Sequence, residues 1–192
     1  MKPIVFSLIA AVAISAAVFL FWPGSGNAHP LRDIDGVLHG SLEKAKTEFT
    51  ALFFLGTTCP ISRQYAPEIM RICDDFRSNG VDCYLVFPES GLTTEDLKNH
   101  LQEFGYTLPA VMDTRHELAT AAGATVTPEA AVFSRSGSLL YRGRINDLWI
   151  ELGQQRREAH THDLRDALAA LAAHRNVPEP RTPAVGCYIE GL

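Results

Sequence analysis

The chain has 192 residues, 46% of them hydrophobic, and a net charge of −5. That is enough for one domain with a sizeable core. The acidic balance argues against nucleic acid as a partner, because nucleic-acid binding wants a basic face.

Residues 1–28 form a targeting segment. Lys2 is its only charge, and Ile4 to Trp22 is almost wholly apolar, a run of nineteen residues that suffices to span a bilayer core. No further charge occurs before Arg32, so Lys2 is expected to stay cytoplasmic and the rest to be exported. Gly26-Asn27-Ala28 offers small residues of the kind a signal peptidase reads. The pattern fits a cleaved signal peptide and an uncleaved anchor equally. Both place residues 29–192 outside the cytoplasm, in the periplasm or beyond, with membrane contact only through an uncleaved segment. Four cysteines in an exported chain make thiol chemistry and disulfides both available.

Residues 29–175 read as one α/β domain. Leu31 to Lys46 is an irregular lead-in with a hairpin turn at Asp35-Gly36. The apolar run Phe49 to Leu55 predicts a buried strand that stops at Gly56. After Pro60 the apolar positions Ile61, Tyr65, Ile69, Ile72, Cys73 and Phe76 share a helical face. This helix is expected to run to about Arg77 and stop at Asn79-Gly80. Val81 to Phe87 is a second strand. Thr93 caps a helix from about Glu95 to Phe104. Leu108 to Met112 is a short strand, and a helix from Arg115 to Ala122 ends at Gly123. A strand follows Pro128, turns at Arg135-Ser136-Gly137 and returns over Ser138 to Ile145. Thr161 is expected to cap a last helix, about His162 to His174, burying Leu164, Leu168 and Leu171. Residues 176–192 form a tail with Pro178, Pro180 and Pro183, expected to be extended.

Cys59 carries the chemistry. It sits at a helix N-terminus, where free N–H groups and the helix dipole favour a thiolate. Pro60 suits the first helical position. Ser62 is placed to hydrogen-bond the sulfur or simply to cap. Arg63, one turn in, is placed to lower the thiol pKa, to bind an acidic substrate, or to lie solvated on the surface.

The segment Cys59-Pro60-Ile61-Ser62, with Pro67 eight positions after Cys59, resembles the active-site helix of the thioredoxin superfamily. That family has C-x-x-C here; Ser62 stands in the second cysteine's place. Gly123-Ala124-Thr125-Val126-Thr127-Pro128 resembles the family's approach to a cis-proline that packs against the reactive cysteine. Together with Tyr141-Arg142-Gly143-Arg144-Ile145 and Val185-Gly186-Cys187, these segments are similar to peroxiredoxin-like, redoxin-domain proteins related to the TlpA-type and AhpC/TSA-like groups. The resemblance implies a thioredoxin-like fold: a central mixed, mostly parallel sheet flanked by helices, with an extra helix and strand inserted between Thr93 and Met112. It also implies that Thr127 and Pro128 shape the substrate groove.

A mixed disulfide on Cys59 needs a second thiol to release it. Cys73 lies fourteen residues down the same helix, on the order of 20 Å away. Cys83 begins a strand parallel to the one preceding Cys59, hence at the opposite edge of the sheet. The two either bond to each other across the Asn79-Gly80 turn or stay as buried thiols. Cys187 is the one cysteine whose position the fold does not hold away from Cys59. A tail at roughly 3.1 Å per residue can cross the domain.

These residues point first to an extracytoplasmic thiol–disulfide oxidoreductase. Cys59 is its nucleophile and Cys187 its resolving partner. A protein or small-molecule thiol or disulfide is the substrate, and an external reductant closes the cycle. No cofactor or metal is required. A thiol peroxidase is the first alternative, although Gly56 and Leu52 occupy positions where peroxiredoxins carry a hydroxyl residue and a proline. A copper-handling protein is the second.

Overall fold

The computed structural model describes residues 29–192. The targeting segment read at 1–28 lies outside the described residues. Among the described residues no helix is long and apolar enough to cross a membrane.

The centre is β3 (Phe49–Phe54), with all six residues buried. A strand covered on both faces tolerates a continuous apolar run, so no polar alternation is seen. It pairs in parallel with β4 (Val81–Phe87), which pairs in parallel with β5 (Ala110–Met112). On its other side β3 pairs antiparallel with β7 (Glu129–Ser134), and β7 with β8 (Leu139–Gly143). The order is β5-β4-β3-β7-β8. Only β7 runs against the others.

The two faces separate by parity along each strand. Phe49, Ala51, Phe53, Val81, Cys83, Leu85 and Phe87 meet α1 (Pro60–Phe76), α2 (Thr94–Glu103) and α4 (Asp163–Ala172) on one face. Leu52, Phe54, Tyr84 and Val86 meet α3 (Glu117–Ala122) and Leu31 of β1 (Pro30–Arg32) on the other. Each fully buried Phe or Leu contributes about 2–3 kcal/mol of transfer free energy before entropy is counted. β1 forms the expected lead-in hairpin with β2 (Leu38–Ser41), turning at Gly36 with φ 83°. The inserted α2 and β5 are present, with β5 at the sheet edge.

Several boundaries differ from the sequence reading for identifiable reasons. α3 starts at Glu117 rather than Arg115, because His116 takes a left-handed conformation, φ 56°. The Asp113 carboxylate then accepts the N–H groups of Leu118 and Ala119 at 3.2 and 2.8 Å. Thr161 does not cap α4. His162 is the flanking residue, and the Thr161 hydroxyl instead donates to Asp163 at 2.8 Å. That carboxylate is held by Arg144 at 2.9 Å. A hairpin of β9 (Trp149–Glu151) and β10 (Gln154–Gln155) lies where no element was expected.

Candidate active site

Cys59 follows β3 across a tight turn. At Gly56 a Cβ would lie 2.9 Å from Thr127 Oγ1 and 3.1 Å from Cys59 Cβ, so only glycine lets the three segments close up. Cys59 is the residue before α1, extended at φ −76°, ψ 114°, and Pro60 opens the helix. Its carbonyl accepts the Arg63 N–H at 3.2 Å. Ser62 is buried on the inner side of the first turn, and its Oγ accepts the Gly56 N–H at 3.2 Å. Pro67 lies within the helix without breaking it.

The second wall is β6 (Val126–Thr127) with Pro128. The Thr127-Pro128 peptide bond is cis. The Cys59 thiol donates to the Thr127 carbonyl at 3.1 Å. Behind this loop Glu129, 4% exposed, accepts the N–H of Thr125 at 2.8 Å and of Val126 at 3.4 Å. Arg142 from β8 pairs with Glu129 at 3.4 Å and also donates to the Gly123 carbonyl. Sequence reasoning had no signal for this pair, of which only Glu129 is buried. It brings together residues on neighbouring strands whose side chains meet only once the sheet has formed.

The tail closes the site. Arg142 N–H donates to Pro180 O at 3.0 Å, and Thr182 N–H to Arg142 O at 3.1 Å, so the chain enters along β8. It then crosses to β6, where β11 (Cys187–Tyr188) pairs antiparallel: Cys187 with Thr127, Tyr188 with Val126. The Cys187 sulfur arrives 2.8 Å from that of Cys59, with the Cys187 thiol donating. Cys59 is only 2% exposed as a result. A cavity of about 230 Å³ remains beside the pair, lined by Gly56, Cys59, Pro88, Glu89, Thr127 and Cys187 among others.

The two thiols differ in acidity. Burial pushes the Cys59 pKa up, but hydrogen bonds from the Cys187 thiol and then from the Ser62 N–H and hydroxyl outweigh it. The net value falls below that of an ordinary thiol. The Thr127 carbonyl works the other way, since it accepts from the thiol and would face a thiolate. Cys187 is pushed up to about 11, first by burial, then by its bond to Cys59 and by the Cys59 charge. The two sulfurs thus shift in opposite directions, Cys59 down and Cys187 up.

Arg63 is engaged on the loop rather than on the sulfur. Its Nε donates to Thr57 O at 2.8 Å, and its cation sits 5.5 Å from the Phe104 ring centroid. The other side of Thr57 is held by Glu89, which accepts its N–H at 2.8 Å and its hydroxyl at 3.0 Å. Glu89 was missed in the sequence because the contact spans 32 residues. Cys73 and Cys83 form a disulfide with Cα atoms 6.0 Å apart. It lies at the far pole, since Cys83 pairs with Ala51 well before the end of β3 that leads to Cys59. Among the described residues no group of three or more His, Cys, Asp or Glu side chains is arranged to hold a metal. His160 and His162 are both exposed.

No family model matches the chain, and no curated protein matches it. Solved structures do. An uncharacterized conserved protein from Geobacillus kaustophilus is 27% identical, with a TM-score of 0.72 over 86% of this chain and 89% of that one. A secreted disulfide oxidoreductase of Mycobacterium tuberculosis, homologous to DsbE of E. coli, is 11% identical, with a TM-score of 0.52 over 73% of this chain and 94% of that one. StoA from Bacillus subtilis is 19% identical, with a TM-score of 0.51 over 60% of this chain and 85% of that one. At these identities the last two speak to architecture, and the architecture agrees with the sheet order and helix placement described above. The chain is a protein of thioredoxin-like fold.

Proposed function

We propose that the protein is a thiol–disulfide oxidoreductase working outside the cytoplasm, with Cys59 as nucleophile and Cys187 as resolving thiol. The observation that carries this reading is the 2.8 Å approach of two sulfurs with opposite shifts in acidity. The Cys59 thiolate attacks one sulfur of a substrate disulfide. A Cys59–substrate disulfide forms, and the other substrate sulfur leaves as a thiolate and takes a proton. Cys187 then loses its proton and attacks the Cys59 sulfur. The Cys59–Cys187 disulfide forms, and the second substrate thiolate is released. The substrate has gained two electrons and the enzyme has lost two. An external dithiol returns them.

Pro60, Ser62, Thr127 and Pro128 support the site. Ser62 and the N-terminus of α1 stabilise the thiolate, Pro60 opens the helix, and Thr127-Pro128 forms the wall against which substrate lies. Arg63 holds the Thr57 loop. The far-pole disulfide is structural and fits an oxidising compartment, as does the targeting segment read at 1–28. The secreted character of the Mycobacterium protein is in keeping with both.

Turnover of insulin and of a small aromatic disulfide, with dithiothreitol as reductant, tests this reading. Disulfide turnover well above peroxide turnover is expected. Peroxide turnover above disulfide turnover would favour the peroxidase, for which Gly56 and Leu52 are the wrong residues.

A further inference from the structure

The lead-in hairpin holds a side-chain pair that the thiol chemistry does not use. His29 precedes β1 and Glu43 follows β2. They stand side by side because the hairpin closes between them: Pro30 pairs with Ser41, and the Leu42 N–H donates to His29 O at 3.1 Å. Leu42, 1% exposed, pins this end of the hairpin in the core. The β7–β8 turn backs Glu43, since a Cβ on Gly137 would lie 3.1 Å from its Cα and 3.4 Å from its Cγ. The carboxylate so placed meets two nitrogens of one residue. The His29 main-chain N–H donates to Glu43 Oε2 at 3.1 Å, and His29 Nδ1 lies 2.5 Å from Oε1. Burial pushes the Glu43 carboxyl up, but bonds from the His29 ring, then from main-chain N–H groups, hold it at about 2.

In the intact chain the His29 nitrogen is an amide, which has no lone pair to give a metal. Hydrolysis of the Ala28–His29 bond changes this. Water adds across the bond, Ala28 leaves with a carboxylate, and His29 keeps an amine. Gly26-Asn27-Ala28 carries the small residues that a signal peptidase reads before such a cut. The amine and Nδ1 of one histidine close a chelate ring on a single ion. Ligands about 2.0–2.2 Å from one ion sit roughly 3 Å from each other, close to the spacing Glu43 already has to both nitrogens.

We propose that removal of residues 1–28 creates a divalent-metal site at the new N-terminus, with the His29 amine, His29 Nδ1 and a Glu43 oxygen as ligands. The donor set names the metal. Two nitrogens and a carboxylate, without sulfur, suit tetragonal Cu2+, which also heads the affinity order of the divalent first-row ions. The ion displaces a proton from the amine, and no electron moves. The site is remote from the sulfur pair. Ser134, just before the β7–β8 turn, pairs with Phe49 at the start of β3, whereas Cys59 follows the other end. The proposal rests on export of the chain and not on Cys59 being the nucleophile.

The test exports the full chain carrying Cys59→Ser and Cys187→Ser, so that no free thiol binds or reduces copper; Cys73 and Cys83 stay bonded. Intact mass should show a chain beginning at His29. Titration with Cu2+ against a competing chelator should then give one tight equivalent with the visible absorbance of a nitrogen–oxygen site. Glu43→Gln should weaken it by at least about tenfold, since losing even a hydrogen-bonding partner of a ligand costs that much. A form that keeps residues 23–28 ahead of His29 retains every side chain of the fold but has no amine there. It should bind at least about 100-fold more weakly, at the level of exposed histidines such as His160 and His162. This comparison does not depend on the Glu43 variant folding. A mature chain beginning at another residue, equal affinity with residues 23–28 present, or equal affinity in Glu43→Gln would overturn the proposal. No turnover is measured. A negative result thus leaves the redox pair standing, and a failed turnover assay leaves the metal site standing.

Discussion

The sulfur of Cys187 lies 2.8 Å from that of Cys59, across 128 residues of sequence. A disulfide needs about 2.05 Å, so oxidation requires only a small closing movement once the tail is docked. Cys59→Ser should therefore reduce disulfide turnover to background. Cys187→Ser should instead arrest the protein as a Cys59–substrate mixed disulfide, visible by intact-mass measurement as a persistent adduct. Rapid release of that adduct in the variant would assign resolution to another thiol.

Ionisation of Cys59 should be measurable as thiolate absorbance near 240 nm. Its lowered pKa means that the thiolate is present below the ordinary thiol range, about 8.5, and is lost as pH falls through the shifted value. Cys187→Ala and Ser62→Ala each remove a side-chain donor to the anion, so both should move the transition to higher pH. A second rise, from Cys187, is expected only near pH 11 in wild type. An unchanged Cys59 transition in both variants would refute the hydrogen-bond account of its acidity.

The far-pole disulfide closes a separation of ten residues, for which the chain-entropy relation gives about 3 kcal/mol. Replacing Cys73 and Cys83 together by alanine should lower the melting temperature by about 6–12 °C for a chain of this size. Turnover at 25 °C should stay near the wild-type value. A large loss of activity in a folded double variant would show that the pair does more than hold the scaffold.

Glu129 anchors the β6 loop from behind by accepting two N–H groups and pairing with Arg142. Glu129→Ala orphans these donors and leaves the arginine without its partner. Because Arg142 is 34% exposed, water screens part of the loss. The cost should be about 2–3 kcal/mol in denaturant unfolding. Glu129→Gln keeps an acceptor and should cost less. Equal costs would place the importance in the charge pair rather than in the hydrogen bonds.

The elements that organise the site were legible because their signals are local. β4 runs over Val81–Phe87 as expected, since an apolar run follows a glycine with φ 75° that ends the preceding turn. The Pro60 opening and the interior Pro67 fixed the register of α1. The C-terminal tail was legible as extended from its prolines, but its landing strip was not. Docking depends on Gly186, where a Cβ would run into the Thr127 carbonyl, and on the β6 edge, whose two residues are too few to carry a periodic pattern. The start of α4 was read to within a residue, but its cap was misassigned, because Asp163 rather than Thr161 collects the hydrogen bonds there. Arg63 and Glu89 converge on Thr57 from different elements, and no spacing rule links them.

The central claim is tested most directly by mapping disulfides in the full-length protein after oxidation with one equivalent of a small disulfide, with digestion in acid to prevent exchange. The expected result is two intrachain linkages, Cys59–Cys187 and Cys73–Cys83. Recovery of Cys59 as a free thiol, or joined to the oxidant while Cys187 remains reduced, would contradict it.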